Sequence, residues 1–552
     1  MIKEHIFDEL KKAVKEAGFD GIDPEILSTT NERFGDYYST IALKLKQDQS
    51  KQNPVEIAKQ IVAKLPKESE VFSVSIAPNG FINFHLTDKF LGSQIQKIIE
   101  ENQDYGKPRI GKGKKARVEF VSANPTGPLH IGNARGGPLG DTIANILEFA
   151  GYEVLREYLN NNMGNQVYEL GKTLAAKAGL IKANENELTY KGEYTTELAS
   201  KVKNELGKVI DLPADEVIKK AGDIGTEMLS KDILKDISDM GIEFDLVVNE
   251  SDLQKKLPAI FEELKSSLVK REGATWFVPK AKILGEDTFK DAGWVVIKSD
   301  GSYTYFASDI AYHKEKFESG YDLVVDVFGS NTSGHVPKLK ALTLEFGGPK
   351  EDFKVILYQF VRVKREGEVV RMSKRAGDFV TAKEVLDEVG KDAFRFTMLL
   401  YDPNTHMDFD LDQAKKQSEE NPVYYVQYAY ARCSNILKKA QDQGFELKNL
   451  SKAKIELLKS SSEMDLVRRL VKFPEVVADI ATSKPGFPVH LLPLNTVRIA
   501  DELNRFYEKV RVVGEDKDLS EARLALIIAT KIVLRSSLQL MGISAPEYLE
   551  KR

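Results

Sequence analysis

The 552-residue chain has one cysteine, Cys433, two tryptophans and seven histidines. A single thiol excludes a disulfide framework and a cysteine-built zinc ribbon, and it fits a reducing compartment. No apolar run approaches the roughly 20 residues that a membrane helix needs. The N-terminus, MIKEHIFDELKKAVKEAGF, mixes both charge signs and reads as an amphipathic helix rather than a secretion signal. A cytoplasmic protein with no membrane partner is the expectation. Neither charge sign is in excess: 79 Lys and Arg stand against 84 Asp and Glu, a net of −5. That excludes a protein that coats nucleic acid through bulk charge, but not one with a local basic face. From Ala431 onward the chain carries 21 basic and 16 acidic residues, so its C-terminal part is the better place to meet a polyanion. Internal repeats and low-complexity tracts are also missing.

Hydrophobic residues make up 42% of the chain and charged residues 30%, which is enough for several packed domains. Residues 1–105 read as a small α+β domain. Helices are expected at the start and near Pro54–Leu65, and a strand pair at Val71–Ile76 and Gly80–Leu86 turns at Pro78-Asn79-Gly80. A polar stretch, Glu101–Lys115, leads out of it. Within that stretch GKPRIGKG (Gly106–Gly113) nearly spells a P-loop. It has Gly113 where Ser or Thr should bind magnesium, and it precedes a strand where a P-loop must follow one, so these read as linker glycines.

Residues 106–400 alternate strand and helix. Arg117–Val121 is a short β-rich run, Pro138–Ala150 has helical spacing and stops at Gly151, and Val154–Tyr158 suits a second strand. Strand, loop, helix, strand is the nucleotide-binding half of a doubly wound sheet. A helical insertion at about 169–290 is expected, then strands to Tyr305 with a turn at Ser299-Asp300-Gly301. The apolar run Leu323–Phe328 suits a buried parallel strand. Residues 401–552 read as an α-helical bundle. The predicted fold is multidomain α/β: a Rossmann-type catalytic domain with a doubly wound parallel sheet, flanked by an N-terminal α+β domain and a C-terminal α-helical bundle.

Two distant segments suggest chemistry. RVEFVSANPTGPLHIGNAR (Arg117–Arg135) runs from a strand through a turn into a helix, and helix N-termini favour phosphate. His130 can donate to a phosphate oxygen, Gly132 leaves room for an adenine ring, and Asn133 adds a neutral donor. VVRMSKRAGDFVT (Val369–Thr381) carries Arg371, Lys374 and Arg375 in a loop suited to close over a triphosphate. Alone, the first reads as a tight turn with a structural histidine and the second as a solvated basic loop. Together they supply a phosphate cradle and a lysine lid.

HIGN (His130–Asn133) and RMSK (Arg371–Lys374) resemble the HIGH and KMSK signatures of class I aminoacyl-tRNA synthetases. EYLNNNMGNQ (Glu157–Gln166), YFASDIAYH (Tyr305–His313), VGKDAFRF (Val389–Phe396), DFDLDQA (Asp408–Ala414) and NPVYYVQYAYAR (Asn421–Arg432) resemble arginyl-tRNA synthetase, as do GFINF (Gly80–Phe84), ELNRFYEKV (Glu502–Val510) and MGI (Met541–Ile543). The likeness runs in order along nearly the whole chain.

The resemblance implies ligation of L-arginine to tRNA(Arg) through arginyl-adenylate, by a monomer, with tRNA needed for the first step and no editing site. Magnesium is expected on the ATP phosphates rather than in a protein cage. His130, Asn133, Lys374 and Arg375 are the implied catalytic groups. Gly132, Arg371, Met372 and Ser373 join them around ATP. Glu119, Tyr305 and Asp309 are implied for the guanidinium, which needs rigidly placed carboxylates, and Ser122 and Asn124 for the α-amino group. Read by themselves, Asp309 would be a helix N-cap and Tyr305 a strand aromatic. For tRNA the candidates are Asn79, Phe81 and Asn83 in the N-terminal hairpin, and Tyr425, Tyr428, Tyr507 and Met541 in the bundle. Phe81, the bundle tyrosines and Met541 also fit core positions. Asn133 replaces a His of HIGH, and Asn331, Thr332 and Ser333 stand where the family has Asp, His and His. His335 in the same segment reads as a surface loop residue. The rival readings are another class I synthetase and a non-catalytic RNA-binding paralogue.

Overall fold

A computed structural model describes residues 2–29, 34–48, 52–207, 212–279, 293–349, 352–370, 379–482 and 486–549. The N-terminal domain follows from its periodicities. In the helix Ile2–Glu16, Ile6, Leu10, Ala13 and Val14 fall on one buried face. The helix Pro54–Val62 starts with proline in its first turn, capped by Asn53, whose side chain accepts from the Val55 N–H at 3.0 Å. These helices accompany a four-stranded antiparallel sheet in the order Leu27–Ser28, Tyr37–Ser39, Ile82–Leu86, Phe72–Ile76. The hairpin between the last two turns at Gly80, with φ +89°, and a Cβ there would come within 2.6 Å of Pro54.

The central sheet has five parallel strands. We label them β1 (Lys115–Phe120), β2 (Glu153–Asn160), β3 (Leu246–Asn249), β4 (Leu323–Gly329) and β5 (Phe353–Tyr358). Their spatial order is β5-β4-β1-β2-β3. The order in which strands are added therefore reverses between β1 and β4, the switch point beyond whose strand ends ligands bind in such sheets. Two helices frame that point: α1 (Gly136–Phe149), which packs on β1 and β2, and α2 (Tyr305–Glu318). Burial of Phe120, Val118, Val325 and Leu139 makes the core between sheet and helix.

The antiparallel strands Leu268–Arg271 and Ala274–Phe277 fall within the segment expected as a helical insertion, and three further elements depart from the sequence expectation. The segment expected as a helical insertion contains β3, an edge strand of only four residues with Leu246 and Val247 partly exposed, too short and too solvated to show a burial pattern. Beyond residue 400, where only helices were expected, Met407–Asp410 forms a strand parallel to Val361–Arg365. The backbone pairing thus crosses the expected join at 400. Its alternation is real, since Met407 and Phe409 are buried between exposed-side acids, but it lasts four residues. Third, α2 begins at Tyr305 with Thr304 as the preceding cap residue, so Tyr305 is helical and Asp309 sits one turn inside rather than at the N-cap.

The C-terminal bundle is built from the helices Pro422–Asp442, Ser461–Leu470, Phe473–Ala481, Leu491–Lys509 and Lys517–Leu540. Ser460 and Glu463 form a reciprocal capping box at the second of these. The N-terminal domain is docked on the bundle through Tyr37, whose hydroxyl donates to buried Glu475, and through an Arg468–Asp36 pair at 3.4 Å. Among the described residues, no helix is long and apolar enough to cross a membrane.

Candidate active site

The loop leaving β1 does not simply turn. Val121 and Ser122 both adopt left-handed backbone, with φ +68° and +39°. For consecutive non-glycine residues, one of them β-branched, this is strained by about 1–3 kcal/mol each. The surroundings hold it in place. Ser122 Oγ donates to Glu119 Oε1 at 2.8 Å and accepts the Leu159 N–H at 3.0 Å, and the Tyr158 hydroxyl donates to the Ala123 carbonyl at 3.0 Å. Asn124 donates to Gln166 Oε1 at 2.8 Å.

The same loop reaches His130, the N-cap of the short helix Ile131–Ala134. His130 Nδ1 accepts the Gly132 N–H at 2.9 Å, which leaves the proton of a neutral ring on Nε2, as a donor. A Cβ at Gly132 would lie 3.0 Å from that Nδ1. Main-chain bonds join this turn to a distant one: Ile131 N–H donates to the Val380 carbonyl at 3.2 Å, and Ala382 N–H to the Leu129 carbonyl at 2.7 Å. Thr381 pairs with His130 and caps the helix Ala382–Val389 through a capping box with Glu384. The Phe379 ring stands 5.6 Å from that of His130. Arg371, Met372, Ser373, Lys374 and Arg375 lie outside the described residues.

α2 forms the opposite wall. Asp309 is 8% exposed, and its Oδ2 takes the His335 Nδ1–H at 3.1 Å. Tyr305, half exposed, stands edge-on to the same His335 ring. His335 comes from the turn Ser330–His335 after β4, so the residue read as a surface histidine is a partner of Asp309. Below it, His313 Nδ1 faces the Asp309 carbonyl at 2.9 Å and Nε2 faces Asp326 Oδ2 at 3.1 Å.

These walls enclose a cavity of about 700 Å³, within the usual size for a small-molecule site. Glu119, Ser122, Asn124, His130, Asn133, Tyr305 and Asp309 all line it, as do Asn331, Thr332 and His335. Its floor is braced by Arg135, fully buried, which donates to the carbonyls of Gln359, Thr405 and Asp402 at 2.8–3.0 Å. Burial pushes that guanidinium down to about 10.

Glu119, implied for the guanidinium, already has partners within the protein. It is buried, with Oε2 bonded to Lys316 and Oε1 to Ser122. Burial raises its carboxyl above the usual range, with Lys316 pulling the other way. Sequence reasoning missed Lys316 and its neighbours Arg117, Glu157 and Asp326. The available signal was charge where periodicity demands apolar residues, as in the acid within LVVDVF.

The tRNA candidates are dispersed over two domains. Asn79 is exposed and its Oδ1 accepts the Phe81 N–H at 3.3 Å; Phe81 is half buried and stacked on Tyr38 at 5.5 Å. Asn83 is 5% exposed within its strand. In the bundle, Tyr425 donates to Asp501 at 2.9 Å and accepts from Asn504 at 2.8 Å. Arg432 lies between the rings of Tyr428 and Tyr507, 4.8 and 5.1 Å from their centroids, and Tyr507 is 46% exposed. Met541 is a correction. It is wholly buried, ending the last long helix, so it packs the core and offers no face for a base.

Comparison with known proteins agrees with this architecture. Three family models match in order: the arginyl tRNA synthetase N terminal domain over residues 1–86, the catalytic domain of class I (R) tRNA synthetases over 94–430, and the DALR anticodon binding domain over 426–549. The arginine--tRNA ligase of Syntrophotalea carbinolica is 40% identical over 523 residues, covering 93% of this chain and 92% of its own. That of Desulforamulus reducens is 38% identical over 565 residues and 99% of each chain. The solved arginyl-tRNA synthetase of Thermus thermophilus superposes over the full length of both chains with a TM-score of 0.77 at 22% identity, a likeness of fold. With the family's catalytic model spanning well over half of the sequence and curated relatives aligned end to end, the chain belongs to the arginyl-tRNA synthetase family.

Proposed function

We propose that the chain joins L-arginine to tRNA(Arg) in two steps, acting in the cytoplasm as a monomer. The arginine carboxylate attacks the α-phosphorus of ATP and expels diphosphate. The terminal adenosine hydroxyl of the tRNA then attacks the activated carbonyl and releases AMP. The observation that carries this reading is the cavity at the switch point, which gathers a histidine donor on one wall and a buried carboxylate on the other.

In this reading Asp309 and the Tyr305 hydroxyl take the guanidinium, and His335 gives up its bond to Asp309 when the substrate enters. Glu119 contributes the oxygen it shares with Ser122, while Ser122 and Asn124 face the α-amino group. His130 Nε2–H and the Asn133 amide donate to phosphate oxygens as charge develops, with Gly132 against the adenine. The resemblance assigns Arg371, Met372, Ser373, Lys374 and Arg375 to the ATP phosphates. Arginine supplies the nucleophile, so the protein's work is positioning and charge stabilisation. Magnesium on the ATP phosphates adds neutralising charge. Asn79 and Phe81 form one tRNA contact, and Tyr425, Tyr428 and Tyr507 the other; Asn83, buried between two strands, is left out of it.

The test is ATP–diphosphate exchange with and without tRNA(Arg), with lysine as control. Exchange that requires arginine and tRNA supports the reading; tRNA binding without exchange would replace it by a non-catalytic RNA-binding role. Asp309→Asn removes a charge-assisted contact worth about 1.5–3 kcal/mol. It should raise the arginine KM roughly 10- to 100-fold while the ATP KM stays within about twofold.

A further inference from the structure

The register of the central sheet sets three acids in a row. Asp326 on β4 pairs with Glu119 on β1, and Glu119 pairs with Glu157 on β2. Partners directly across neighbouring strands point to the same face, where like charges repel. All three carboxylates are at most 1% exposed. Two cations answer them. Arg117 lies two residues before Glu119, hence on the same face, and forks onto both oxygens of Glu157. Lys316 comes from the far end of α2. It is fully buried, donates to Glu119 Oε2 and to Asp326 Oδ1 at 2.7 Å, and lies 3.8 Å from Glu157. The Tyr312 ring covers its Nζ at 4.1 Å.

Burial alone would lower Lys316, but Asp326, Glu119 and Glu157 outweigh that and hold it above the usual lysine value. Burial alone would raise Asp326, but Lys316 and His313 pull its carboxyl down to about 2. The ammonium is thus a fixed charge in the wall. Glu119 lines the cavity; Lys316 stands behind it.

We infer that Lys316 is a positioning residue that selects arginine over lysine: it fixes Glu119 as an ionised acceptor and occupies the one place where an ammonium would be best satisfied. A substrate ammonium seeks a point where several carboxylates converge. Between Glu119 and Asp326 that point is filled by the protein's own lysine. What is left to a substrate is one oxygen of Glu119 on β1 and the carboxylate of Asp309 on α2. A flat guanidinium with five donors can bridge acceptors on two elements; a point charge cannot. The helix that carries Tyr305 and Asp309 is the helix that Lys316 pins to the sheet, so the same contact sets the spacing of both walls. This inference rests on the arginine reading of the cavity.

The experiment compares Lys316→Met, Lys316→Arg and Asp309→Asn with the parent in tRNA-dependent ATP–diphosphate exchange from pH 6 to 9, after thermal melts establish which variants are folded. Without its cation, Glu119 ionises at higher pH. Lys316→Met should therefore raise the arginine KM at least tenfold at pH 7, with a KM that falls as pH rises, and with the ATP KM within twofold. Inhibition by free lysine should strengthen severalfold. Lys316→Arg keeps the charge but displaces the carboxylates: it should raise the arginine KM severalfold with a pH profile parallel to the parent's. A folded Lys316→Met with parental arginine KM, pH profile and lysine inhibition overturns the inference. If that variant does not fold, a parental arginine KM in Lys316→Arg overturns it instead. Asp309→Asn keeps the two ideas apart. A raised arginine KM there beside parental Lys316 variants retains the site and removes the role of Lys316, whereas a parental KM in Asp309→Asn removes the site itself.

Discussion

Arg395 offers the sharpest test of how the modules are joined. Its fully buried guanidinium donates from Nη2 to Asp141 Oδ2 on α1, from Nε to the Met541 carbonyl at 2.7 Å, and from Nη1 to the Met240 carbonyl at 3.1 Å. Those carbonyls end the helices Lys517–Leu540 and Ala214–Asp239, so one side chain satisfies the bundle, the segment after β2 and the helix that follows the His130 turn. Arg395→Met leaves two buried carbonyls unpaired, at about 1–3 kcal/mol each. It also removes one of three donors to Asp141, which keeps Arg156 at 3.3 Å and Asn145 at 3.2 Å. Because Asp141 retains a cation, the loss should be about 3–5 kcal/mol rather than the plain sum. Against a usual reserve of about 5–15 kcal/mol, that shift is readily measured. Urea unfolding followed by circular dichroism should show it in the first transition, the quantity to compare in a chain of several modules. Arg395→Lys should recover about half, since an ammonium satisfies fewer of the three acceptors. Asp141→Asn should cost less in the Arg395→Met background than in the parent, by about 1–3 kcal/mol. A stability within about 1 kcal/mol of the parent for Arg395→Met, or an Asp141→Asn cost independent of background, would refute the reasoning.

Lys472 is buried against the Tyr37 ring at 3.4 Å, with Glu475 3.6 Å away and Asp36 and Lys3 nearby, and burial depresses it to about 8. The unfolded chain, with a lysine value of roughly 10.4, binds this proton more tightly, so stability should rise between pH 8 and about 10 by up to roughly 1.4 kcal/mol per unit. Tyr37 stays protonated across that range, because burial and Glu475 raise it. Lys472→Met should remove the rise and stabilise the docked N-terminal domain at pH 7 by about 1–2 kcal/mol; parallel urea midpoints for parent and variant from pH 7 to 10 would count against it. Tyr507→Ala should weaken tRNA(Arg) binding by about 1–3 kcal/mol at fixed salt, and Tyr507→Phe by much less, as read by fluorescence anisotropy. Equal affinity of the Ala variant and the parent would exclude a stacking role.

Local pattern carried most of the architecture into view. The strands β1, β2 and β4 and the helix α1 were legible because burial on two faces, or helical spacing between a cap and Gly151, leaves a mark within ten residues. The central sheet's edge and the strand Met407–Asp410 were not, since four residues hold too little period to distinguish from loop. Tyr305 read as a strand because the segment before it is β-rich, while its helix starts from a threonine whose hydroxyl donates to the Val295 carbonyl. In the cavity, residues from the β1 loop and α2 were found by resemblance. Their real partners were invisible, because His335 meets Asp309 and Lys316 meets Glu119 only through the sheet order. Met541 was misread for a related reason: methionine at a helix end looks the same in sequence whether it faces solvent or core.

The joint between the His130 turn and the Val380–Ala382 segment is made of main-chain hydrogen bonds, two N–H groups and two carbonyls that every ordinary residue supplies. A survey of side-chain replacements would pass over it without effect, because no replacement except proline deletes an amide donor. Proline at Ile131 or Ala382, or an amide-to-ester exchange at either bond, is the change that would cut the turn loose from the chain that leads back toward Lys374. The link between the two signature segments is thus written in the path of the backbone, and drift in the surrounding side chains leaves it intact.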